Sequence, residues 1–417
     1  MNTMSQALAV AVAERLLQPE TVLAAVPGPE AASLAHGLAG TALLHGRLAA
    51  VDPVFGTAAD SHWAAAASCA RRHRAVGAGI FATGGGLAAS LIIGTAYLPD
   101  PAAWQASAGR AAAWLSRQAQ RIAGDLDDRR AAGDPYARWA AYDVINGLAG
   151  IGRVLLAAIT AGQPAAEPGL TAALQALTTM IEMPHGSRPG WWLPASLYPP
   201  TVKAARSGSA ATGLAHGIAG PLAFLAAAHA GGWAVPGQDA AIRHASGWLL
   251  DWKAAGTYQW PASVTGADLD AHAARLTGRQ DAWCYGTPGI SAALALASQA
   301  LDDDALAQAS QEAITSLASR PARAWDADGP TLCHGHAGVL QCAVFRQPAV
   351  ASAAARAIAA AFDASRRFAV PHTENGATED RPGFLTGAAG TALALAEHAH
   401  LPSPAVPTRW DSILLLS

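Results

Sequence analysis

The sequence predicts an all-α fold built from repeated pairs of helices, and two observations indicate this class. Hydrophobic residues make up 52% of the 417 residues, but aromatic residues only 6%. The apolar content is therefore mostly Ala, Leu, Val and Ile, which favours closely packed helices over β-sandwiches. A short glycine signature also returns seven times along the chain, as Gly-x-x-Gly in six copies and as Thr83-Gly-Gly-Gly in the second, each time directly before an Ala/Leu-rich segment typical of a helix.

The spacing of the signature sets the size of each repeat. The first glycines of the seven copies stand at positions 37, 84, 147, 217, 286, 335 and 387. The shortest intervals hold two helices and two turns, and the small residues allow close backbone approach at the start of the second helix. The intervals between positions 84 and 286 are longer, which predicts additional structure around residues 95–140, 160–208 and 230–280. Within the second of these, residues 183–200 are rich in Pro and aromatic residues and predict short strands or a loop.

Helix pairs of this kind must stack on their neighbours to bury their apolar faces. An open solenoid and a closed ring both satisfy that requirement. A ring of seven inner and seven outer helices also accounts for a charged fraction of only 14%, against about 25% in typical soluble domains, because inner helices are buried on most sides. A ring would bring the seven glycine loops to one end of a barrel, around one cavity.

Charge and hydropathy exclude several classes of protein. A net charge of -3 and a pI near 6.5 leave no basic surface for nucleic acid. Residues 75–99 contain no charge, but their glycines argue against a membrane span and favour two buried helical pieces around a glycine turn. The N-terminus has no basic region before its short apolar stretch, so it does not read as a signal peptide. We expect a cytoplasmic protein.

Four cysteines in so long a chain do not form a disulfide framework. Cys69 and Cys342 lie in helix-like apolar segments and read as core residues. Cys284, by contrast, precedes the fifth glycine loop, and the Cys333-His334 pair precedes the sixth. Two thiolates and an imidazole on adjacent loops match a catalytic zinc site with an open fourth position. The alternative is two buried thiols and a histidine that caps a helix.

A second pair of side chains predicts acid/base chemistry. His216 precedes the fourth glycine loop, and Asp143 lies just before the third. A carboxylate beside an imidazole fixes the tautomer of a general acid or base. His36 has the same context as His216, but we interpret it as a helix-capping residue. His336 is a candidate cavity residue, and His185 is interpreted as an exposed loop residue.

At these positions the chain resembles the lanthionine synthetase C-like family, the lanthipeptide cyclases. The resemblance runs from the first repeat to the C-terminal Arg409-Trp410-Asp411, and its most specific parts are Trp283-Cys284-Tyr285-Gly286 and Cys333-His334-Gly335. It implies an α/α toroid (barrel) of fourteen helices formed by residues 1–417 as one cyclase domain. A small strand-containing subdomain is expected in inserted segments at about residues 95–140 and 160–208.

The same resemblance implies a function. One Zn²⁺ per chain would be held by Cys284, Cys333 and His334, and a cysteine thiolate of a dehydrated precursor peptide would add to dehydroalanine or dehydrobutyrine, forming thioether rings. His216, oriented by Asp143, would protonate the resulting enolate. Tyr285 would line the site. The family places a basic residue where this chain has Gln280, so the neighbouring Arg279 is the candidate for that role.

The resemblance also implies partners. The substrate would be a precursor peptide with a leader and a Ser/Thr/Cys-rich core. The cyclase would act in a biosynthetic complex with a lanthipeptide dehydratase and an ABC exporter, associated peripherally with the membrane. Other functions remain open. These are addition of glutathione to dehydroamino acids and a peptide-binding scaffold without catalysis. A glycosidase needs two facing carboxylates, and a prenyltransferase lumen needs many aromatic residues, so both fit the sequence less well.

Overall fold

A computed structural model describes residues 2–74, 77–198, 206–273, 275–374 and 376–417. They form helices, short 3₁₀ turns and four strands of three residues each. The helices are α1 (Asn2–Arg15), α2 (Pro19–Leu23), α3 (Leu38–Leu48), α4 (Pro53–His73), α5 (Thr83–Gly94), α6 (Ala102–Ala131), α7 (Trp139–Tyr142), α8 (Leu148–Thr160), α9 (Glu167–Glu182), α10 (Ala219–Ala230), α11 (Gln238–Asp251), α12 (Gly266–Ala271), α13 (Thr287–Leu301), α14 (Asp304–Ser316), α15 (His336–Ala343), α16 (Pro348–Ala360) and α17 (Ala388–His398).

The helices that begin in the glycine signatures form a closed inner ring. In chain order they are α3, α5, α8, α10, α13, α15 and α17, and each contacts the next. Helix α17 then contacts α3, so the last repeat closes on the first. The described residues therefore form a closed ring of seven repeats rather than an open solenoid.

An outer layer surrounds this ring. Helices α4, α6, α9, α11 and α16 each pack against the inner helices on either side of them in the chain, and α14 packs against α13. The seventh outer helix is α1, which packs on α17 and α16 although it comes from the other end of the sequence. Helices α2, α7 and α12 are short and lie outside this count. The predicted all-α barrel of seven inner and seven outer helices is confirmed.

The second glycine of each signature has a steric reason. A Cβ atom there would press against the carbonyl oxygen of the residue six positions earlier, at 2.6 Å for Gly220 and closer still for Gly390. The same clash, at 2.6 Å or less, occurs in six of the seven copies; at Gly86 the matching oxygen of Ile80 lies 3.2 Å away, and the close contact is the Cβ of Leu34 at 2.7 Å. The chain therefore enters every inner helix through a turn so tight that no side chain fits inside it.

Backbone hydrogen bonds connect neighbouring signature loops around the barrel mouth. Among the described residues, six of the seven neighbouring pairs are joined in this way, at 2.9 to 3.2 Å. The donor and acceptor residues are Ala35 to Phe81, Val144 to Ala215, Ala215 to Cys284, Cys284 to Cys333, Cys333 to Leu385, and Leu385 to Ala35. These bonds form a belt that fixes the loops before the inner helices in one register, as the ring hypothesis expects.

The barrel interior is filled from the C-terminal side. The 3₁₀ turn Trp410–Leu414 is buried and contacts inner helices α5 and α8. Its carbonyl at Leu414 accepts a hydrogen bond from the indole Nε1 of Trp283 at 2.9 Å. Because Trp283 directly precedes Cys284, this turn supports one of the loops at the barrel mouth from below.

The strands form two small antiparallel pairs. Strand β1 (Ser209–Ala211) pairs with β2 (Ser263–Thr265), and β3 (His372–Glu374) pairs with β4 (Ala377–Glu379). Between residues 95 and 140 the main element is the long outer helix α6. In the aromatic segment 183–200, residues 199 and 200 lie outside the described part of the chain. Residues 183–198 form isolated β-bridges, including one between Leu193 and Ser209, and one 3₁₀ turn.

The uncharged stretch at residues 75–99 differs from its prediction. Instead of two helical pieces around a glycine turn, its described residues 77–99 contain one α-helix, α5, whose first turn includes the glycines 84–86, and a 3₁₀ turn, Thr95–Tyr97, that follows it directly. A Cβ at Gly86 would lie 2.7 Å from the Cβ of Leu34, so glycine there provides space for the first repeat rather than breaking the helix. Within the described part of the chain, no helix combines the length and the apolarity that a bilayer crossing requires.

Candidate active site

Two neighbouring signature loops bring Cys284, Cys333 and His334 together at the barrel mouth. The backbone N–H of Cys284 donates to the carbonyl of Cys333 at 3.2 Å, which places the two thiols side by side. The three candidate ligand atoms all lie within 4.8 Å of one another. Cys284 and His334 are largely buried and Cys333 is partly exposed, so the group has one open side.

The two thiols are hydrogen-bonded to each other, and this bond shifts their pKa values in opposite directions. The bond, helped by His334 and Arg279, lowers the pKa of Cys284, while the same bond and burial raise the pKa of Cys333 well above its usual value. Cys284 is therefore the thiol that loses its proton more readily, and Cys333 keeps the proton of the shared hydrogen bond. A divalent cation would replace that proton, because it favours both thiolates.

The donor set fits zinc. Two sulfur atoms and one imidazole are its common protein ligands, and three of them leave a position for a fourth group. Nε2 of His334 is buried and has no hydrogen-bond partner among the described residues. Buried polar atoms normally have a hydrogen-bond partner or bind an ion. The unpartnered Nε2 beside two thiols is therefore typical of a metal ligand.

His216 and Asp143 form the second functional pair. Asp143 is fully buried, and its Oδ2 lies 2.6 Å from Nδ1 of His216. Its other oxygen, Oδ1, accepts the backbone N–H groups of Asn146 and Gly147 at 2.7 and 2.9 Å, at the start of α8. Because a carboxylate only accepts, Nδ1 of His216 is the donor, which leaves Nε2 available for proton transfer. The His216 side chain is 31% exposed.

Aromatic residues of the short helix α7 hold His216 in place. The ring of Trp139 stacks on the imidazole with centroids 5.3 Å apart, and Tyr142 donates its hydroxyl to the carbonyl of His216 at 3.2 Å. Sequence reasoning included Tyr142 only as part of a motif and missed Trp139. The available signal was the aromatic residue four positions before Asp143.

Tyr285 lies between the two pairs. Burial raises the pKa of its phenol first, and the negative charges of Cys284 and Asp143 raise it further. Both charges act on this hydroxyl, so it stays protonated and can serve as a donor at the barrel mouth.

Arg279, rather than Gln280, brings positive charge near the thiol group, although its guanidinium is bonded to the carboxylates of Asp326 and Asp328. Its guanidinium donates to Asp328 at 2.8 Å, and its charge lowers the pKa of both Cys284 and Cys333. The side-chain amide of Gln280 instead donates back to the carbonyls of Thr277 and Gly278. A displacement by one residue thus returns a positive charge to the vicinity of the thiols.

Two further residues that sequence reasoning missed lie beside this group. His372 and Glu374, on strand β3, form a second possible ligand set with His334. His372 is buried, bonds to Thr331 through Nδ1, and contacts the ring of His334 edge-on. No glycine signature marks them, because the β3–β4 pair lies outside the repeat.

The other histidines and cysteines named in the sequence analysis lie outside these two groups, and the predicted helix-capping role of His36 is wrong, because α3 has Gly37 as its N-cap and no side-chain cap bond. His36 accepts or donates one bond with Thr386 through Nδ1, and His336 bonds to the carbonyl of Gly329. His185 takes part in an isolated bridge with Arg188. Cys69 and Cys342 are buried in the core, as expected, and burial raises the pKa of Cys342 to about 12.

Comparisons with known proteins agree on one family. Residues 28–415 match the family model described as lanthionine synthetase C-like protein. A 140-residue region is 27% identical to the nisin biosynthesis protein NisC of Lactococcus lactis subsp. lactis and spans 32% of this chain and 33% of that relative. The solved structure of a nisin cyclase shares the fold, with a TM-score of 0.74 at 19% identity over 94% of this chain and 93% of the other. The family model covers nearly the whole chain, and the chain therefore belongs to the lanthionine synthetase C-like family.

Proposed function

We propose that the chain, as one domain of residues 1–417, is a zinc-dependent lanthipeptide cyclase. It would join cysteine thiols of a dehydrated precursor peptide to dehydroalanine or dehydrobutyrine and so form lanthionine and methyllanthionine rings. The observation that carries the proposal is that Cys284, Cys333 and His334 share one barrel mouth with the His216–Asp143 pair. Family membership and the similarity to nisin cyclase support the same reaction.

The proposed chemistry divides between the three-residue group of Cys284, Cys333 and His334 and the His216–Asp143 pair. Zinc held by Cys284, Cys333 and His334 would lower the pKa of a substrate thiol and leave its sulfur nucleophilic. Addition of that sulfur to the β-carbon places negative charge on the neighbouring carbonyl as an enolate. Arg279 and the Tyr285 hydroxyl are the candidates that stabilise this charge. The substrate thiol releases its proton to solvent, and His216, fixed on Asp143, would deliver one proton from Nε2 to the α-carbon and be reprotonated from solvent, so that the addition balances.

The substrate chemistry also indicates the partners. Dehydroalanine and dehydrobutyrine arise when Ser and Thr lose water, so a dehydratase must act on the precursor peptide first. A cytoplasmic complex with that dehydratase and with an ABC exporter, attached peripherally to the membrane, is therefore part of the proposal.

The direct test combines metal analysis with a cyclisation assay. We expect about one zinc per chain, as a single three-ligand site requires, and loss of free thiols from a dehydrated peptide, detected by alkylation and mass spectrometry. Cys284→Ala should lose both the zinc and the activity, whereas Cys69→Ala, which removes a core thiol, should keep both. A folded wild-type protein without zinc, or full activity in Cys284→Ala, would contradict the proposal.

A further inference from the structure

An ion pair between a buried carboxylate and a partly exposed arginine lies next to the thiol group and is not part of it. Asp281, three residues before Cys284, is fully buried, and Arg320 holds both of its carboxylate oxygens, at 2.7 and 2.6 Å. The backbone N–H of Asp326 donates to the same carboxylate at 2.8 Å. A two-point guanidinium–carboxylate pair fixes orientation as well as distance.

Arg320 and Asp326 belong to one connecting segment, residues 317–328, which leads from α14 toward the loop before α15. That segment makes further bonds to the loop of Cys284. Asp326 accepts the backbone N–H of Gln280 at 2.9 Å, and Asp328 accepts Arg279 at 2.8 Å.

The connecting segment is also attached to the second ligand loop. The backbone N–H of Asp328 donates to the carbonyl of His334 at 2.7 Å. Asp281 therefore ties the loop of Cys284 to a segment that is itself bonded to the loop of Cys333 and His334. The bond from Cys284 N–H to the Cys333 carbonyl is the direct link between the same two loops.

We propose that Arg320 is a positioning residue for the metal site. Through the carboxylate of Asp281 it holds the loop of Cys284 against the loop of Cys333 and His334, so that the ligand atoms stand ready for zinc. The inference rests on the proposed function, because it assumes that these three residues bind the metal. Groups outside the ligand set that orient the ligands typically change metal affinity about 10- to 100-fold.

The proposal is tested by zinc affinity rather than by turnover. We expect Arg320→Met to raise the zinc Kd about 10- to 100-fold, measured by competition with a chromogenic chelator. Arg320→Lys keeps the charge but not the two-point contact and should fall between wild type and Arg320→Met. In the cobalt-substituted protein, the thiolate-to-metal absorption of Arg320→Met should be weaker or shifted.

A matched variant separates positioning from general stability. Arg47 is a buried arginine that bonds to the carbonyls of Leu401 and Pro402. It lies at the C-terminal ends of the inner helices α3 and α17, whereas the barrel mouth lies at their N-terminal ends. Arg47→Met should lower the melting temperature without changing the zinc Kd. If Arg47→Met raised the Kd as much as Arg320→Met does, the effect would be general stability and the inference would be wrong.

A double-mutant cycle gives the second test. Asp281→Asn keeps the shape of the side chain, and if Asp281 and Arg320 act as one unit, the double variant should have about the same Kd as either single variant. Independent effects that multiply, or a wild-type Kd in folded Arg320→Lys and Arg320→Met, would overturn the inference alone. A wild-type protein that binds no zinc would overturn the proposed function and this inference together.

Discussion

Asp143 serves the backbone and the chemistry with its two separate oxygens. One oxygen satisfies two N–H groups at the start of α8, which otherwise have no partner within the helix. The other orients His216. The position of the catalytic candidate is thus tied to the start of an inner helix, and the carboxylate has no freedom to turn away from the imidazole.

Substitutions at this pair should separate proton transfer from metal binding. We expect His216→Asn to lower kcat about 10²- to 10⁴-fold, because Asn cannot deliver the proton, while the zinc content stays at the wild-type level. Asp143→Asn should also lower kcat, because an amide whose oxygen accepts the two N–H groups turns its NH₂ toward Nδ1 of His216 and so removes the acceptor that holds the imidazole in its tautomer. Single-turnover kinetics and metal analysis would check both. Unchanged kinetics in His216→Asn would assign the proton to another group or to water.

The functional residues that could be predicted from the sequence are those next to the glycine signature. Cys284, Cys333, His334 and His216 each stand within two residues before a signature glycine, so the repeat placed them on one rim. Trp139, His372 and Glu374 stand on elements outside the repeat, and only folding brings them to the same place. Arg279 was ambiguous, because whether its charge lies near the thiols depends on the path of the loop.

At the scale of the element, the glycine signature is a steric requirement of the turn that enters each inner helix. The inner helices are rich in small residues, and the signature lets each one begin directly against the loop before it. The same loops carry the candidate site. Local backbone packing and chemistry therefore depend on the same short stretches of sequence.

Glycine substitutions should distinguish this requirement from ordinary helix propensity. Gly390→Ala places a Cβ against the carbonyl of Phe384 and should lower the free energy of unfolding by about 2 kcal/mol or more, as overpacking does. The control is Gly124→Ala on the outer helix α6, where a Cβ meets nothing within 4 Å. It should raise stability by up to about 1 kcal/mol. Chemical denaturation measures both, and equal effects would contradict the steric explanation.

For the whole molecule, closure of the ring joins distant parts of the chain. Helix α1 packs on α17, and the turn Trp410–Leu414 fills the interior below the loop of Cys284. The hydrogen-bonded belt at the mouth joins the last loop to the first through the N–H of Leu385 and the carbonyl of Ala35. Removing one repeat would open both the ring and the belt, so we expect the barrel to unfold as one unit.

A pair of buried histidines beneath the N-terminal helices gives this unit a pH dependence. His45 bonds to the carbonyl of Leu16, and His62 bonds to Thr41 and to the carbonyl of Leu17. Burial lowers the pKa of His45 to about 3 and that of His62 to about 4. In the unfolded chain both imidazoles take up protons near pH 6.5.

The free energy of unfolding should therefore decrease as pH falls below about 6.5, by up to about 1.4 kcal/mol per pH unit for each histidine. Above that pH both histidines are neutral in the folded and in the unfolded chain, so their contribution to the free energy of unfolding is constant. His62→Gln should reduce the slope between pH 6.5 and 4.5, measured by denaturation at several pH values. His73→Gln, at an exposed position on the same helix, should leave it unchanged. Equal slopes in wild type and His62→Gln would contradict the assignment.

The sequence by itself determined the helical class, the seven repeats and the rim positions of the thiols and His216, because these follow from composition and from a signature with a local steric cause. Only the tertiary structure decided that the ring closes, that α1 supplies the seventh outer helix, and that Asp281 and Arg320 connect the two ligand loops. Those features depend on contacts between residues far apart in the chain, which no local pattern encodes.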